Sequence, residues 1–277
     1  MSVMRIAVLI TCHNRAMTTL RCLSQLYECK VPEHMAYDVW VNDDGCTDDT
    51  VASIVCYFPK VMIVKGSGAD YWCGGMRRAW TAAEHNYRYD GYLWLNDDTM
   101  LYEDALYLML SNERMRDSIM VGATKDPCRD RTSYSARNRR GQKMDPAGHY
   151  QHAFAFNGNC VWIPREVFDK LGNFPEYFTH ALGDFDYGLR ANKAGISIFL
   201  VPNYVGECDD VKPKAAWMDS NVNIVKRIMS LYSPKGGPEP RIFFKYNMNH
   251  FGILKAVRCF VLQHLRVLFP LLWRFKQ

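Results

Sequence analysis

Leu95-Asn96-Asp97-Asp98-Thr99 sets two adjacent carboxylates directly after an apolar run, Tyr92-Leu93-Trp94-Leu95, which Gly91 introduces. Such a run reads as a buried strand, so its polar end emerges at a sheet edge. Neighbouring carboxylates repel each other and are costly to desolvate. A hard divalent cation, Mg²⁺ or Mn²⁺, relieves both costs, because it takes one or two carboxylates together with phosphate oxygens. The chemistry suggested is metal-assisted work on a phosphorylated small molecule. A solvated strand-to-helix turn capped by Asp or Thr fits the same five residues equally well.

The elements around this segment decide whether it has company. Ile6 to Ile10 reads as a first strand, followed by a helix with Leu20, Leu23 and Tyr27 on one face. Tyr37 to Val41 is a second strand ending in Asn42-Asp43-Asp44-Gly45. Thr47 and Asp48 cap the next helix, which runs to about Phe58 and stops at Pro59. Val61 to Val64 is a third strand, and Gly66-Ser67-Gly68 precedes a helix starting near Gly74-Gly75. With Tyr92 to Leu95 as the fourth strand, the β-α-β-α order implies a parallel sheet with helices on both faces. Ligands of such sheets bind beyond the carboxyl ends of the strands. Thr11-Cys12-His13-Asn14, Asp43-Asp44 and Asp97-Asp98 all fall at strand ends, on one rim.

The second half is less regular. Residues 125–148 are polar and carry Arg129, Arg131, Arg137, Arg139, Arg140 and Lys143, which suggests a mobile loop. Phe154 to Ile163 reads as a strand pair around Asn157-Gly158-Asn159. Arg165 to Leu171 is a short helix ending at Gly172. The run from Gly183-Asp184-Phe185-Asp186 to Arg190 opens a helix that ends at Gly195, and Ile196 to Val201 is a further strand. The ten cysteines form no C-x-x-C pair and lie mostly in apolar segments, as expected of reduced core thiols in a cytosolic protein. No signal peptide is evident in Met1–Arg5.

The net charge of +5 is uneven. Residues 241–277 hold seven Lys/Arg and no Asp/Glu, so residues 1–240 carry a net −2. That distribution disfavours a nucleic-acid-binding surface. Phe243 to Trp273 mixes Phe, Leu, Val and Trp with Lys255, Arg258, His264 and Arg266, and no charge-free run in it is long enough to span a bilayer. A basic amphipathic helix lying in an anionic membrane interface fits; a terminal helix packed on the domain is the competing reading.

In order, Thr11-Cys12-His13-Asn14-Arg15, Asp43-Asp44-Gly45-Cys46-Thr47-Asp48, Asn96-Asp97-Asp98 and Asp184-Phe185-Asp186 with Arg190 resemble glycosyltransferase family 2, over roughly residues 4–210. The resemblance implies a GT-A fold, an α/β architecture with a mostly parallel, Rossmann-like sheet. The catalytic domain is then expected at 1–232, with the basic amphipathic helical tail read from composition at 233–277. Asp43 then corresponds to the acceptor of the pyrimidine imide N–H, with Thr11, His13 and Arg15 nearby. Asp98 corresponds to the last Asp of the DxD motif, the metal ligand. Asn96 replaces the first Asp and binds ribose or phosphate as a neutral amide, while Asp97 adds charge. Asp184 corresponds to the general base, with Asp186 and Arg190 supporting its helix. Asp70 and Arg77 stand where relatives carry nucleotide contacts in the loop after the third strand. Glu207 stands where many relatives place a metal-site His.

The implied activity is inverting transfer of a sugar from a UDP- or dTDP-linked donor to a saccharide hydroxyl, with a divalent cation. The tail adds a lipid-linked acceptor at the inner face of the cell membrane, as in bacterial surface-polysaccharide assembly. A weaker similarity points to rhamnosyltransferase-type members. A nucleotidyltransferase is disfavoured, since it needs a Gly-rich loop with Arg and Lys after the first strand. A non-catalytic sugar-nucleotide-binding or scaffolding protein is the alternative. Taken by themselves, His13, His180 and Asp44 read as loop structure, and Trp72 and Trp80 as core or acceptor-stacking residues.

Overall fold

The computed structural model describes residues 3–210 and 215–270. Its first half alternates strand and helix as expected: β1 (Met4–Cys12), α1 (Ala16–Glu28), β2 (Met35–Asp43), α2 (Thr50–Tyr57), β3 (Met62–Lys65), α3 (Tyr71–Asn86) and β4 (Gly91–Leu95). There follow β5 (Met100–Leu101), α4 (Ala105–Leu110), β6 (Ile119–Lys125), β7 (Thr132–Tyr134), β8 (Ala136–Arg137), β9 (Gln151–His152), β10 (Ala155–Phe156), β11 (Cys160–Pro164), α5 (Arg165–Leu171), α6 (Gly183–Lys193) and β12 (Ile198–Glu207). The C-terminal part is helical: α7 (Ile224–Leu231), α8 (Pro240–Phe251) and α9 (Ile253–Leu268).

The main sheet runs β3-β2-β1-β4-β11-β6-β12-β5. β1 pairs in parallel with β2 and β4, β2 with β3, and β6 with β12, while β11 is antiparallel to both β4 and β6. Six strands therefore point the same way and bring their carboxyl ends to one rim. The antiparallel β11 brings its amino end to that rim beside the end of β4. Both faces are covered, which is why the strands read as continuous apolar runs. Alternation divides them: Ala7, Leu9 and Trp94 join Trp80, Tyr187 and Tyr246 beneath α3, α6 and α8, whereas Ile6, Val8, Ile10 and Leu93 join Leu23, Ile54 and Leu106 beneath α1, α2 and α4.

Several expectations change. The polar stretch 125–148 is not a loop throughout. β7 pairs with β6 and β8 with β10, and Thr132, Ser133, Ser135 and Ala136 are buried. The expected strand pair within 154–163 is split between two sheets, because β10 pairs with β8 while β11 enters the main sheet. α3 starts at Tyr71, three residues before its glycines, and β12 extends to Glu207. Six of the ten cysteines are buried, and burial pushes the thiols of Cys12, Cys22, Cys73 and Cys208 well up. Cys56 and Cys128, by contrast, are exposed.

In the tail, α8 lays Tyr246, Ile242 and Phe243 against the core. α9 packs its Val267 with Leu231 of α7 and Trp217. Among the described residues no helix is long and apolar enough to cross a membrane. The end of the expected amphipathic run, including Trp273, lies outside the described residues.

Candidate active site

Each polar cluster at the rim has its own local cause. At the end of β4, the Asn96 amide donates to the Asn159 carbonyl at 2.9 Å, which ties the turn to the start of β11. Asp97 turns inward and is 6% exposed, and Asp98 turns outward, its side chain 35% exposed. Arg15, on the loop after β1, spans the pair: its Nη1 donates to Asp97 at 3.2 Å and to Asp98 at 2.9 Å. Thr19 of α1 also donates to Asp97, at 3.4 Å. Burial, and then the charge of Asp98, push the Asp97 carboxyl up to about 7, against the pull of Arg15.

At the end of β2 the two carboxylates divide their work. Asp43 accepts from the Cys46 amide at 2.7 Å, an Asx-type turn. Asp44 is buried and accepts from three main-chain amides at the start of α3: Gly68 at 3.0 Å, Asp70 at 2.9 Å and Tyr71 at 2.8 Å. A helix N-terminus is a ready anion site, and here Asp44 fills it from within the chain. His13 lies beside this loop, its Nδ1 2.6 Å from the Asp44 carbonyl oxygen. Asn14 binds the same loop, accepting from the Thr47 amide at 2.7 Å.

The start of α3 is packed tightly against β1. A Cβ on Gly75 would stand 2.2 Å from Thr11 Oγ1, so only glycine fits, and Thr11 lies beneath the helix. Arg77, two residues and about 200° further round the helix, faces the other way. Its Nη1 donates to the carbonyls of Pro175 at 3.2 Å and Phe178 at 3.0 Å. The residue read from sequence as a phosphate contact thus clasps the loop leading to α6. Asp70, read likewise as a nucleotide contact, accepts from Ser67 Oγ at 2.7 Å and from Arg78 Nε at 2.8 Å.

Trp72, read from sequence as a core or acceptor-stacking residue, has a bridging role that the sequence reading did not find. Its indole Nε1 donates to Asn96 Oδ1 at 2.7 Å. A Cβ built on Gly158 would meet the same ring at 2.5 Å and Asp184 Cβ at 3.3 Å. The Gly158 amide donates to Asp184 Oδ2 at 3.0 Å. Trp72 and Gly158 therefore join the acidic turn after β4 to the first turn of α6, and Asp184 shares a neighbourhood with Asn96. Trp94 and Phe174 stand behind the ring, with centroids at 6.4 and 5.7 Å. No periodicity marks a residue that reaches across two elements in this way.

At the end of β12, successive side chains take opposite sides of the strand. Glu207 accepts from the Tyr102 hydroxyl at 3.1 Å, whereas the Cys208 thiol lies 3.5 Å from Asp98 Oδ1. The contact with Asp98 thus belongs to Cys208 and not to Glu207, the residue read as the substitute metal ligand. Asp126, Asp209 and Asp210 offer a second group of oxygens close enough to hold a cation. Within that group Arg131 donates to both Asp126 and Asp210. A cavity of about 620 Å³ lies elsewhere, lined by Arg139, Arg140, His152 and Asn192 at the far end of α6 from Asp184, and no expected site residue lines it. Among the described residues three other than glycine take a positive φ, Asn14 (50°), Tyr71 (53°) and Leu182 (76°), each beside or at the start of a helix at this rim.

A mostly parallel sheet with an acidic turn at its rim and a helix presenting Asp184 beside it is the framework of a GT-A glycosyltransferase. The model described as glycosyltransferase-like family 2 matches residues 4–223, and the chain belongs to that family. No curated protein matches it. Among solved structures it is similar to S. aureus TarS, residues 1–349, in complex with UDP: 12% identity, TM-score 0.56, covering 90% of this chain and 72% of that one. Another structure of TarS 1–349 gives 11% identity and a TM-score of 0.57 over 99% and 92%. The mannosyltransferase PcManGT from Pyrobaculum calidifontis, in complex with GDP-Man and Mn²⁺, gives 16% and 0.50 over 91% and 73%. At these identities the likeness is one of fold.

Proposed function

We propose that the protein is an inverting, metal-dependent hexosyltransferase that moves a sugar from a UDP- or dTDP-linked donor to a saccharide hydroxyl. The observation that carries this reading is the Trp72–Gly158 junction, which gathers Asn96, the Asp97–Asp98 pair and Asp184 at one rim. Relatives of the same fold bind UDP, or GDP-Man with Mn²⁺.

The donor lies across the strand ends. Asp43 accepts the imide N–H of the base. Trp72 fixes the Asn96 carbonyl, so the amide NH₂ is left to donate to ribose or phosphate. The residues suit a hard cation: an outward carboxylate, Asp98, stands beside a buried one that is costly to ionise, and among the described residues only Arg15 forms ion pairs with both. Asp98 would hold it, since the neighbouring Cys208 is a buried thiol and hard cations prefer oxygen. When bound, the ion acts as a Lewis acid that neutralises the leaving diphosphate. Asp184 takes the proton of the acceptor hydroxyl as that oxygen attacks the face opposite the diphosphate, so the anomeric configuration inverts.

The acceptor in this reading is lipid-linked, in surface-polysaccharide assembly, with the enzyme at the inner face of the membrane. The catalytic unit is residues 1–232 and the membrane-associating segment 233–277. Support comes from α9, where Leu254, Val257, Val261, Leu265 and Leu268 are exposed. They fall within an arc of about 80° on the side opposite the buried Ala256, Gln263 and Val267. Lys255, Arg258 and Arg266 follow on one flank.

The test is a thermal-shift panel of UDP-glucose, UDP-galactose, UDP-N-acetylglucosamine and dTDP-rhamnose with Mn²⁺, followed by turnover of the sugar that stabilises. Asp184→Asn should lower transfer by ~10²–10⁴-fold with UDP affinity unchanged. Full turnover in that variant removes the base assignment. Nucleotide binding without release of UDP or dTDP, when acceptor is added, would favour a non-catalytic sugar-nucleotide-binding protein.

A further inference from the structure

α8 lies outside the residues matched by the family model, yet its last turn reaches the helix that carries Asp184. His250 and Asp186 have side chains only 3% exposed, and His250 Nε2 is 2.8 Å from Asp186 Oδ1. The other oxygen of Asp186 accepts from Arg190 Nε at 2.7 Å. Arg190 continues to the carbonyls of Leu171 at 2.7 Å and Asn173 at 3.4 Å. Asn249 adds a bond to Tyr177, and Lys193 donates to the Asn249 carbonyl at 2.9 Å. A carboxylate buried this deeply needs every donor it has, and loss of one leaves charge uncompensated. His250 Nδ1 is buried with no partner among the described residues, so the bond to Asp186 is the ring's polar anchor.

We infer that His250 is a positioning residue for the transfer reaction: by holding Asp186, it sets the rotation of the first turn of α6 and hence the aim of Asp184. The inference rests on the reading of Asp184 as base. Asp184 and Asp186 share one helical turn, and Asp184 is held on its other side by the Gly158 amide. A small rotation of α6 therefore moves the base against a fixed donor site. The catalytic apparatus then extends past residue 232 to α8, which lies within the segment assigned above to the membrane.

The test uses the full chain. His250→Phe keeps the ring but removes the donor, His250→Asn is too short to reach Asp186, and His250→Gln keeps a donor near the position of Nε2. Turnover is measured with whichever panel sugar the wild type uses, per UDP-binding site. His250→Phe and His250→Asn should lower kcat about 10–100-fold with KM for the nucleotide sugar within about twofold, and His250→Gln should stay within about threefold of wild type. Hydrogen exchange at the amides of 184–187 should quicken in the first two variants and not in the third. Wild-type kcat in all three, or equal losses in all three, overturns the inference, as does unchanged exchange. Asp184→Asn run alongside separates the cases: an active Asp184→Asn refutes the base itself, whereas an inactive one with active His250→Phe refutes only the role of His250.

Discussion

At the level of single residues, the acidic turn after β4 shows how two adjacent carboxylates take different parts. Asp97 points into the protein, where Arg15 and Thr19 stabilise its charge; Asp98 keeps a third of its side chain in solvent. Removing Asp98 should therefore cost the cation and leave the turn standing. UDP titrated with and without Mn²⁺ should show metal-dependent affinity in the wild type and none in Asp98→Ala. Equal dependence on Mn²⁺ in both proteins would move the metal elsewhere, with Asp126, Asp209 and Asp210 the next place to look. Trp72 shows why part of the site was hidden. Its importance comes from one long-range bond to Asn96 and from contact with Gly158, neither of which leaves a local pattern.

At the level of elements, α3 is the organiser of the nucleotide side. Its first amides are held by Asp44, Gly75 lets it approach β1, and Asp70 closes the preceding turn. Burial alone would push the Asp70 carboxyl up, but the bonds from Arg78 and Ser67 outweigh it and hold it at about 2, below its ordinary 3.8. The unfolded chain thus takes up this proton first as the pH falls, so the stabilisation is complete above about pH 4 and fades towards pH 2. Asp70→Asn should cost ~1–2 kcal/mol at pH 7, allowing for the half-exposed Arg78, and should match the wild type near pH 2. Urea midpoints at both pH values check this; a constant gap between the proteins would exclude the linkage. The strand-then-helix rhythm of the first half was legible because β1 to β4 are short apolar runs broken by Gly, Asp and Pro. The 125–148 region was not, because its backbone is held in pairing while its composition is that of a loop. Arg77 and Glu207 were legible as residues near the site. Their directions depended on helix phase and strand alternation, which a motif does not carry.

At the level of the whole molecule, the apolar row on α9 faces away from the domain on a segment without acidic residues. If that row enters an interface, charge should oppose it directly. Leu254→Glu with Val261→Glu should abolish flotation with vesicles containing anionic phosphatidylglycerol and leave UDP binding intact; equal flotation would mean that the row has no part in it. The three left-handed backbone positions at the rim bear on the molecule as a whole. Asn14, Tyr71 and Leu182 lie far apart in sequence, yet each turns the chain where a different helix begins, at a conformational cost of order 1–3 kcal/mol for a side-chain-bearing residue. The rest of the fold must outweigh that cost before any sugar nucleotide arrives. An incoming substrate then meets a mould already set, and its affinity is drawn down less by the work of shaping the cleft.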